Sequence, residues 1–200
     1  RGRLHGLQAI NSNVFAPRAS LVSAANPIVT VAGGPDNLIT VKYHERLGID
    51  ANTIGDGDII ATRQWGPADT ITATYVANSK VISTGGTDVT AQYRISAPGG
   101  AWDPLDYGGY SLSVVAGQVK NSNGLTVPAD PFGQFSVRVA DSTVFYANSF
   151  ADAVDANVGN GICATSDGDC TLRAAVQEAN AAAPAARTII LDRGNYKFSI

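Results

Sequence analysis

DVTAQYRIS, from Asp88 to Ser96, alternates from end to end. Val89, Ala91, Tyr93 and Ile95 fall on one side of an extended chain, and Thr90, Gln92 and Arg94 on the other. A period of two marks a β-strand with one face in a core and one in water. The same grammar recurs on both sides of this stretch. NLITVKYHE puts Ile39, Val41 and Tyr43 on one face, and TITATYVA does so with Ile71, Ala73 and Tyr75. GYSLSVVA alternates Tyr110, Leu112 and Val114 with serines. GQFSVRVA alternates Phe135, Val137 and Val139 with Gln134, Ser136 and Arg138. Turn signals separate the runs: Gly33-Gly34-Pro35, Asp56-Gly57-Asp58, Gly85-Gly86, Pro98-Gly99-Gly100 and Asn123-Gly124. About seven half-buried strands in about 110 residues, with no helical pattern among them, predict an antiparallel β-sandwich over residues 26–140.

DYGGY, Asp106 to Tyr110, sharpens that expectation. In immunoglobulin-like sandwiches a tyrosine at the entrance to a late strand bonds its hydroxyl back to nearby backbone and pins the corner. Tyr110 sits at such an entrance, and Trp102 just before it is expected to pack on the corner or between the sheets. Asp106, Tyr110 and Trp102 therefore read as structural residues.

From Asp141 the grammar changes. STVFYANSFAD reads as one strand and its exit, and GICATSDGDCTLRAAVQEANAA follows. Cys163 and Cys170, the chain's two cysteines, flank Ser166-Asp167-Gly168-Asp169. That turn can bring them together, which predicts a disulfide and an oxidising compartment; free buried thiols are the alternative. A zinc site wants about four Cys or His ligands, and the two histidines, His5 and His44, are far away in sequence. After Cys170, the residues Leu172, Ala175, Val176, Ala179 and Ala183 recur at helical spacing as one apolar stripe, leaving Arg173, Gln177 and Glu178 off it. Thr171 or Asp169 can cap the start of this helix, and Pro184 ends it. RTIILDRGNYKFSI then predicts two short strands around Asp192-Arg193-Gly194-Asn195.

The bulk numbers bound the function. Hydrophobic residues make up 44% of 200 residues and charged ones 16%, enough apolar material for a core under a lightly charged surface. The net charge is -3, and Lys and Arg are scattered rather than striped, so nucleic acid is not an expected partner. No run approaches the ~18 apolar residues of a membrane span. Residues 1–25 have no sustained period and read as a linker or a pairing segment.

The stretch from Asp155 to Ile200 closely resembles the N-terminal cap of secreted bacterial right-handed parallel β-helix proteins. The resemblance rests on Cys170-Thr171-Leu172-Arg173-Ala174-Ala175-Val176-Gln177-Glu178-Ala179-Asn180 and on the strand-like run from Thr188 onward. Arg187 stands where the family usually has Asp, and Asp192-Arg193 where it has Pro-Ala. The preceding region, including YRISAPGGAWDPLDYGGYSLSV, resembles immunoglobulin-like modules of large bacterial surface proteins. Together these imply a mainly β chain: an immunoglobulin-like sandwich, then a helix-capped first coil over residues 141–200. A parallel β-helix exposes unpaired edges and an open apolar end at its first coil. The resemblance implies a helix laid across that end on Leu172, Ala175, Val176 and Ala179, with the disulfide ordering the chain that enters it. About three repeats make a stable solenoid. The single coil after the cap therefore implies either a longer parent protein or an edge covered by another copy.

No catalytic constellation emerges. Serines are many, but no G-x-S-x-G elbow, P-loop or dinucleotide fingerprint is present. His44, on the polar side of a strand, reads as a surface residue. Asp56 with Asp58, and Asp167 with Asp169, are acidic pairs on glycine turns. They are weak calcium candidates beside the reading as plain Asx turns, and no other cofactor is expected. The leading expectation is a non-catalytic extracellular or cell-surface module with a structural or adhesive role. Its partners would be neighbouring domains of a larger surface protein, further copies of itself, or polysaccharide. The alternatives are the N-terminal accessory region of a β-helix enzyme that degrades polysaccharide, and a self-assembling fibre whose N-terminal segment pairs with the next copy.

Overall fold

The computed structural model describes residues 16–64, 69–139 and 143–198. The protein is mainly β, with two antiparallel-rich sheets that share one core. The first sheet is built on a nine-residue ladder between β3 (Asp36–His44) and β8 (Asp88–Ser96). Their register sets Ile39 opposite Tyr93, Val41 opposite Ala91 and Tyr43 opposite Val89, all buried, while Lys42 and Thr90 point outward. β1 (Arg18–Ala24) pairs on the far side of β3. β6 (Thr74–Tyr75) and β7 (Val81–Ile82) share the other edge of β8.

The second sheet runs in the order β2 (Ile28–Val29), β10 (Pro131–Val137), β9 (Gly108–Val114), β4 (Ile59–Arg63) and β5 (Thr70–Thr72). It turns Phe135, Val137, Tyr110, Leu112, Val114, Ile59 and Ala61 against the first sheet. Burying a large apolar side chain is worth about 1.5–3 kcal/mol, so these alternating positions dominate the stability of the layer pair. Trp102, 2% exposed, meets Tyr110 and Phe135 edge-on at 5.9 and 5.7 Å, and those two rings stack at 4.9 Å.

One expectation needs correction here. Ile71, Ala73 and Tyr75 do not share one strand. The chain leaves the second sheet after Thr72 and joins the first at Thr74, with Ala73 buried at the crossing. Alternation survives such a crossing because both sheets face the same core, so the pattern alone does not reveal it. The segment read as a linker or a pairing segment contains β1, which pairs with β3, so the first sheet begins before residue 26. Its alternation is weak because β1 is an edge strand with much of its length exposed. β1 also leans on β10: a Cβ added at Gly133 would sit 2.7 Å from Leu21 Cβ, so only glycine admits that approach. The expectation for residues 1–15 lies outside the described residues.

Beyond the sandwich, β11 (Val144–Ala147) and β12 (Thr188–Leu191) form a parallel pair in continuous register, joined by a crossover that contains α1 (Leu172–Ala181). Parallel strands need such a crossover, since a tight turn cannot reverse the chain twice. Phe145, Cys170 and Ala175 form a second, small core with Cys163, Ala179 and Ile189 against it. Among the described residues the last stretch forms one strand rather than two: Tyr196 to Phe198 adopt no strand, and residues 199–200 lie outside the described residues. No described helix is long and apolar enough to cross a membrane.

Candidate functional site

Chemistry-bearing side chains gather at the join between the sandwich and the α1 unit. The disulfide between Cys163 and Cys170 is present, as the turn between them predicts, with Cα atoms 5.2 Å apart. Thr171 caps α1, its hydroxyl accepting from the Ala174 N–H at 3.1 Å and donating to the Ala153 carbonyl at 2.6 Å. One residue thus starts the helix and ties it to the preceding loop.

The buried face of α1 is rotated from the expected stripe. Ala174, Ala175 and Glu178 are buried, Leu172 and Ala179 are half-buried, and Val176 is 39% exposed. Glu178, which lies off the apolar stripe, is nevertheless 1% exposed. Its two carboxylate oxygens accept from the Gly159 N–H at 2.6 Å and the Gly161 N–H at 3.0 Å. Gln177 accepts from the Asp155 N–H at 2.8 Å, and Arg173 pairs with both carboxylate oxygens of Asp152. The polar side of the helix therefore holds the loop from Asp152 to Gly161 in place. Those backbone amides have no sheet or helix partner of their own, and a buried orphan is costly. The usable signal was the loop itself, a glycine-rich segment whose donors must be satisfied somewhere.

At the sandwich corner, the Tyr110 hydroxyl donates to the Asp106 carbonyl at 2.9 Å. Asp106 closes a reciprocal cap with Asp103, each carboxylate accepting from the other side of the turn. Burial pushes the Asp106 carboxyl up to about 6, against the Asp103 N–H that favours its charged form. Arg63, at the inward end of β4, donates to the carbonyls of Leu105 and Tyr107 and locks the same turn. Its inward position follows from the parity of IIATR, where Ile59 and Ala61 are buried.

The acidic pairs fare differently. Asp56 accepts from the Tyr75 N–H at 2.8 Å. Asp58 is buried, accepting from the Gly55 N–H at 2.7 Å and the Tyr93 hydroxyl at 2.9 Å, with Tyr43 and Tyr93 in contact at 2.8 Å. Burial raises the Asp58 carboxyl above its ordinary value and raises both phenols. Asp167 and Asp169 are exposed on the turn between the cysteines. Among the described residues no group of three His, Cys, Asp or Glu side chains is placed to hold a metal ion. His44 pairs with Asp88 at 2.8 Å on the open face of the first sheet, beside Lys42 at 3.2 Å.

The two units meet through rings. Tyr107, entering β9, stacks on Tyr146 of β11 with centroids 4.0 Å apart, and the Arg138 guanidinium lies 5.9 Å from the Tyr107 ring. These three residues line a cavity of about 330 Å³ with Asn148, Asp169 and Asp192. Comparison of the chain with family models, with curated proteins and with solved structures finds no match.

Proposed function

We propose that this chain is a non-catalytic structural or adhesion module of an extracellular protein of the bacterial surface type. In this reading residues 26–140, with β1 added, are an immunoglobulin-like spacer, and residues 141–200 begin a right-handed parallel β-helix capped by α1. One observation carries it: β11 and β12 pair in parallel register across a helical crossover. Two short parallel strands are a platform for stacking further strands rather than a finished sheet. The disulfide supports an oxidising, extracellular setting. The sandwich offers its core to packing, and its buried polar groups serve turns and corners.

The test is the mass of the chain in solution over a range of concentrations, by size exclusion with light scattering, with negative-stain microscopy of the same sample. A steady monomer supports the module. Filaments that grow with concentration overturn it in favour of the self-assembling fibre. The cis pairing of β1 with β3 speaks against that alternative as far as residues 18–24 are concerned, since those residues are already engaged.

A further inference from the structure

The chain has two asparagine–glycine steps, Asn123-Gly124 and Asn160-Gly161, both on exposed turns. Such a step is prone to lose its side-chain amide, because glycine has no side chain to hinder attack by its own backbone nitrogen. That nitrogen bonds to the asparagine side-chain carbon, and the bond from this carbon to its amide nitrogen breaks. The proton leaves with the amide nitrogen as ammonia. Water then opens the cyclic imide at either carbonyl, leaving aspartate, or isoaspartate with the backbone routed through the side chain. Water is the sole co-reactant. We propose that Asn160 is a modification site of this kind that acts as a covalent timer for the α1 unit: the closed unit withholds Asn160 from the reaction, and opening of the unit releases it, one way.

The attacking nitrogen is the one that Glu178 holds. The Gly161 N–H donates to the Glu178 carboxylate at 3.0 Å, and that carboxylate is 1% exposed. To react, the nitrogen must give up this proton and turn toward Asn160, and an anion seated on the proton opposes both. The Asn160 side-chain oxygen accepts from the Ile162 N–H at 2.7 Å, and the Asn160 N–H donates to the Asn157 carbonyl at 3.3 Å. Asn160 and Gly161 are exposed, so water reaches them and these hydrogen bonds are what restrains the step. The restraint is assembled from a distance: Glu178 belongs to α1, and the Ala156–Ala164 backbone bond and the Cys163–Cys170 bridge close the loop around it. It is lost when α1 leaves, with the sandwich still folded. Asn123 supplies the contrast. The Gly124 N–H donates to the Asn121 carbonyl at 2.9 Å, and the buried Asn121 side chain holds the Asn123 and Leu125 N–H groups. That turn belongs to the sandwich and does not depend on α1. Isoaspartate at 160 lengthens the backbone by one carbon and moves the Gly161 N–H off Glu178. Either product adds a carboxylate next to the amides that Glu178 holds, so the opened unit does not return to the same closed state.

The experiment is a time course of the whole chain in warm, mildly alkaline buffer, followed by peptide mapping with mass spectrometry. Trypsin cuts after Lys120, Arg138 and Arg173, so the two steps fall in separate peptides and each amide loss is read by itself. A synthetic peptide of residues 155–162 gives the unrestrained rate. Asn160 in the parent should react at least about tenfold more slowly than in that peptide. Reduction of the Cys163–Cys170 bridge, and separately Glu178→Gln, should each raise the Asn160 rate by about tenfold or more, with Asn123 unchanged. Reduction leaves the sequence intact, so the outcome does not hang on how the Glu178 variant folds. The proposal is overturned if Asn160 in the parent reacts within about threefold of the free peptide, or if neither perturbation changes its rate. It is also overturned if Asn123 accelerates equally, which would mean general unfolding. The one-way claim is checked on parent chain whose Asn160 has reacted, separated by charge: hydrogen exchange of α1 should be faster than in unreacted chain, and equal exchange would overturn it. None of these outcomes bears on the module reading, which solution mass and microscopy test separately.

Discussion

Replacing Glu178 by alanine should unfold the α1 unit while leaving the sandwich intact. The carboxylate is 1% exposed and accepts two backbone N–H groups, from Gly159 and Gly161. Hydrogen bonds to a charged group contribute about 1.5–3 kcal/mol each. Gly159 and Gly161 lie on an exposed loop, so water can satisfy part of what alanine removes. That discount brings the expected loss to about 2–4 kcal/mol. A ten-residue helix is marginal alone in water, so most of its order comes from such tertiary ties. Glu178→Gln keeps one acceptor and sets an amide donor against the other N–H, so it should lose most of the same energy. The assay is hydrogen exchange followed by mass spectrometry, comparing peptides from α1 with peptides from β8. At about 1.4 kcal/mol per decade, protection of α1 should fall roughly 30- to 700-fold, with β8 unchanged. Protection of α1 within about threefold of the parent would refute the argument that this carboxylate holds the loop to the helix. Equal losses in both peptides would refute the claim that the two units unfold separately.

Reducing the Cys163–Cys170 bridge, or replacing both cysteines by serine, frees a short loop, since the cysteines are seven positions apart. Chain entropy predicts a loss of about 2.5 kcal/mol from the α1 unit, read as earlier thermal unfolding of that unit with reductant; an unchanged transition would contradict this. Tyr110→Phe removes the bond to the Asp106 carbonyl and should cost the sandwich about 1–2 kcal/mol in urea unfolding, with no loss meaning the corner is held by packing alone. Asp106 makes the sandwich pH-dependent in an unusual direction. Its folded carboxyl is raised to about 6, so the native state binds the proton more tightly than the unfolded chain does. Its contribution is full below about pH 4 and is lost as pH rises through about 6. Asp106→Asn should flatten the difference between the unfolding free energies from urea titrations at low and neutral pH by about 1–2 kcal/mol, allowing for partial solvation. An unaltered difference would assign the pH dependence to other groups, Asp58 first among them.

The sandwich core was legible from residues alone, for a physical reason. A strand with one wet face writes its burial into every second position, and β3, β8 and β9 do so along nearly their whole length. The turn between the cysteines and the Thr171 cap were legible too, because both are local: the partners lie within a few residues of each other. The inward place of Glu178 was not legible, for the opposite reason. Its partners are 17 and 19 residues away, and a glutamate among alanines looks like a solvent residue until the loop that needs it is folded over it. Arg63, reaching carbonyls more than 40 residues on, belongs to the same class.

By itself, then, the sequence determined that this is a mainly β chain with strands of known facing, one short capped helix and one cysteine pair, since each of those follows from periodicity or from near neighbours. Tertiary structure alone decided the rest. It set which sheet each strand joins, where the chain crosses at Ala73, and that β1 closes the first sheet. It turned α1 so that Glu178 faces inward while Val176 stays exposed. It brought Tyr107, Arg138, Tyr146 and Asp169 to one cavity from segments with no common pattern. Alternation tells a side chain which way to face; only the packed chain says what it faces.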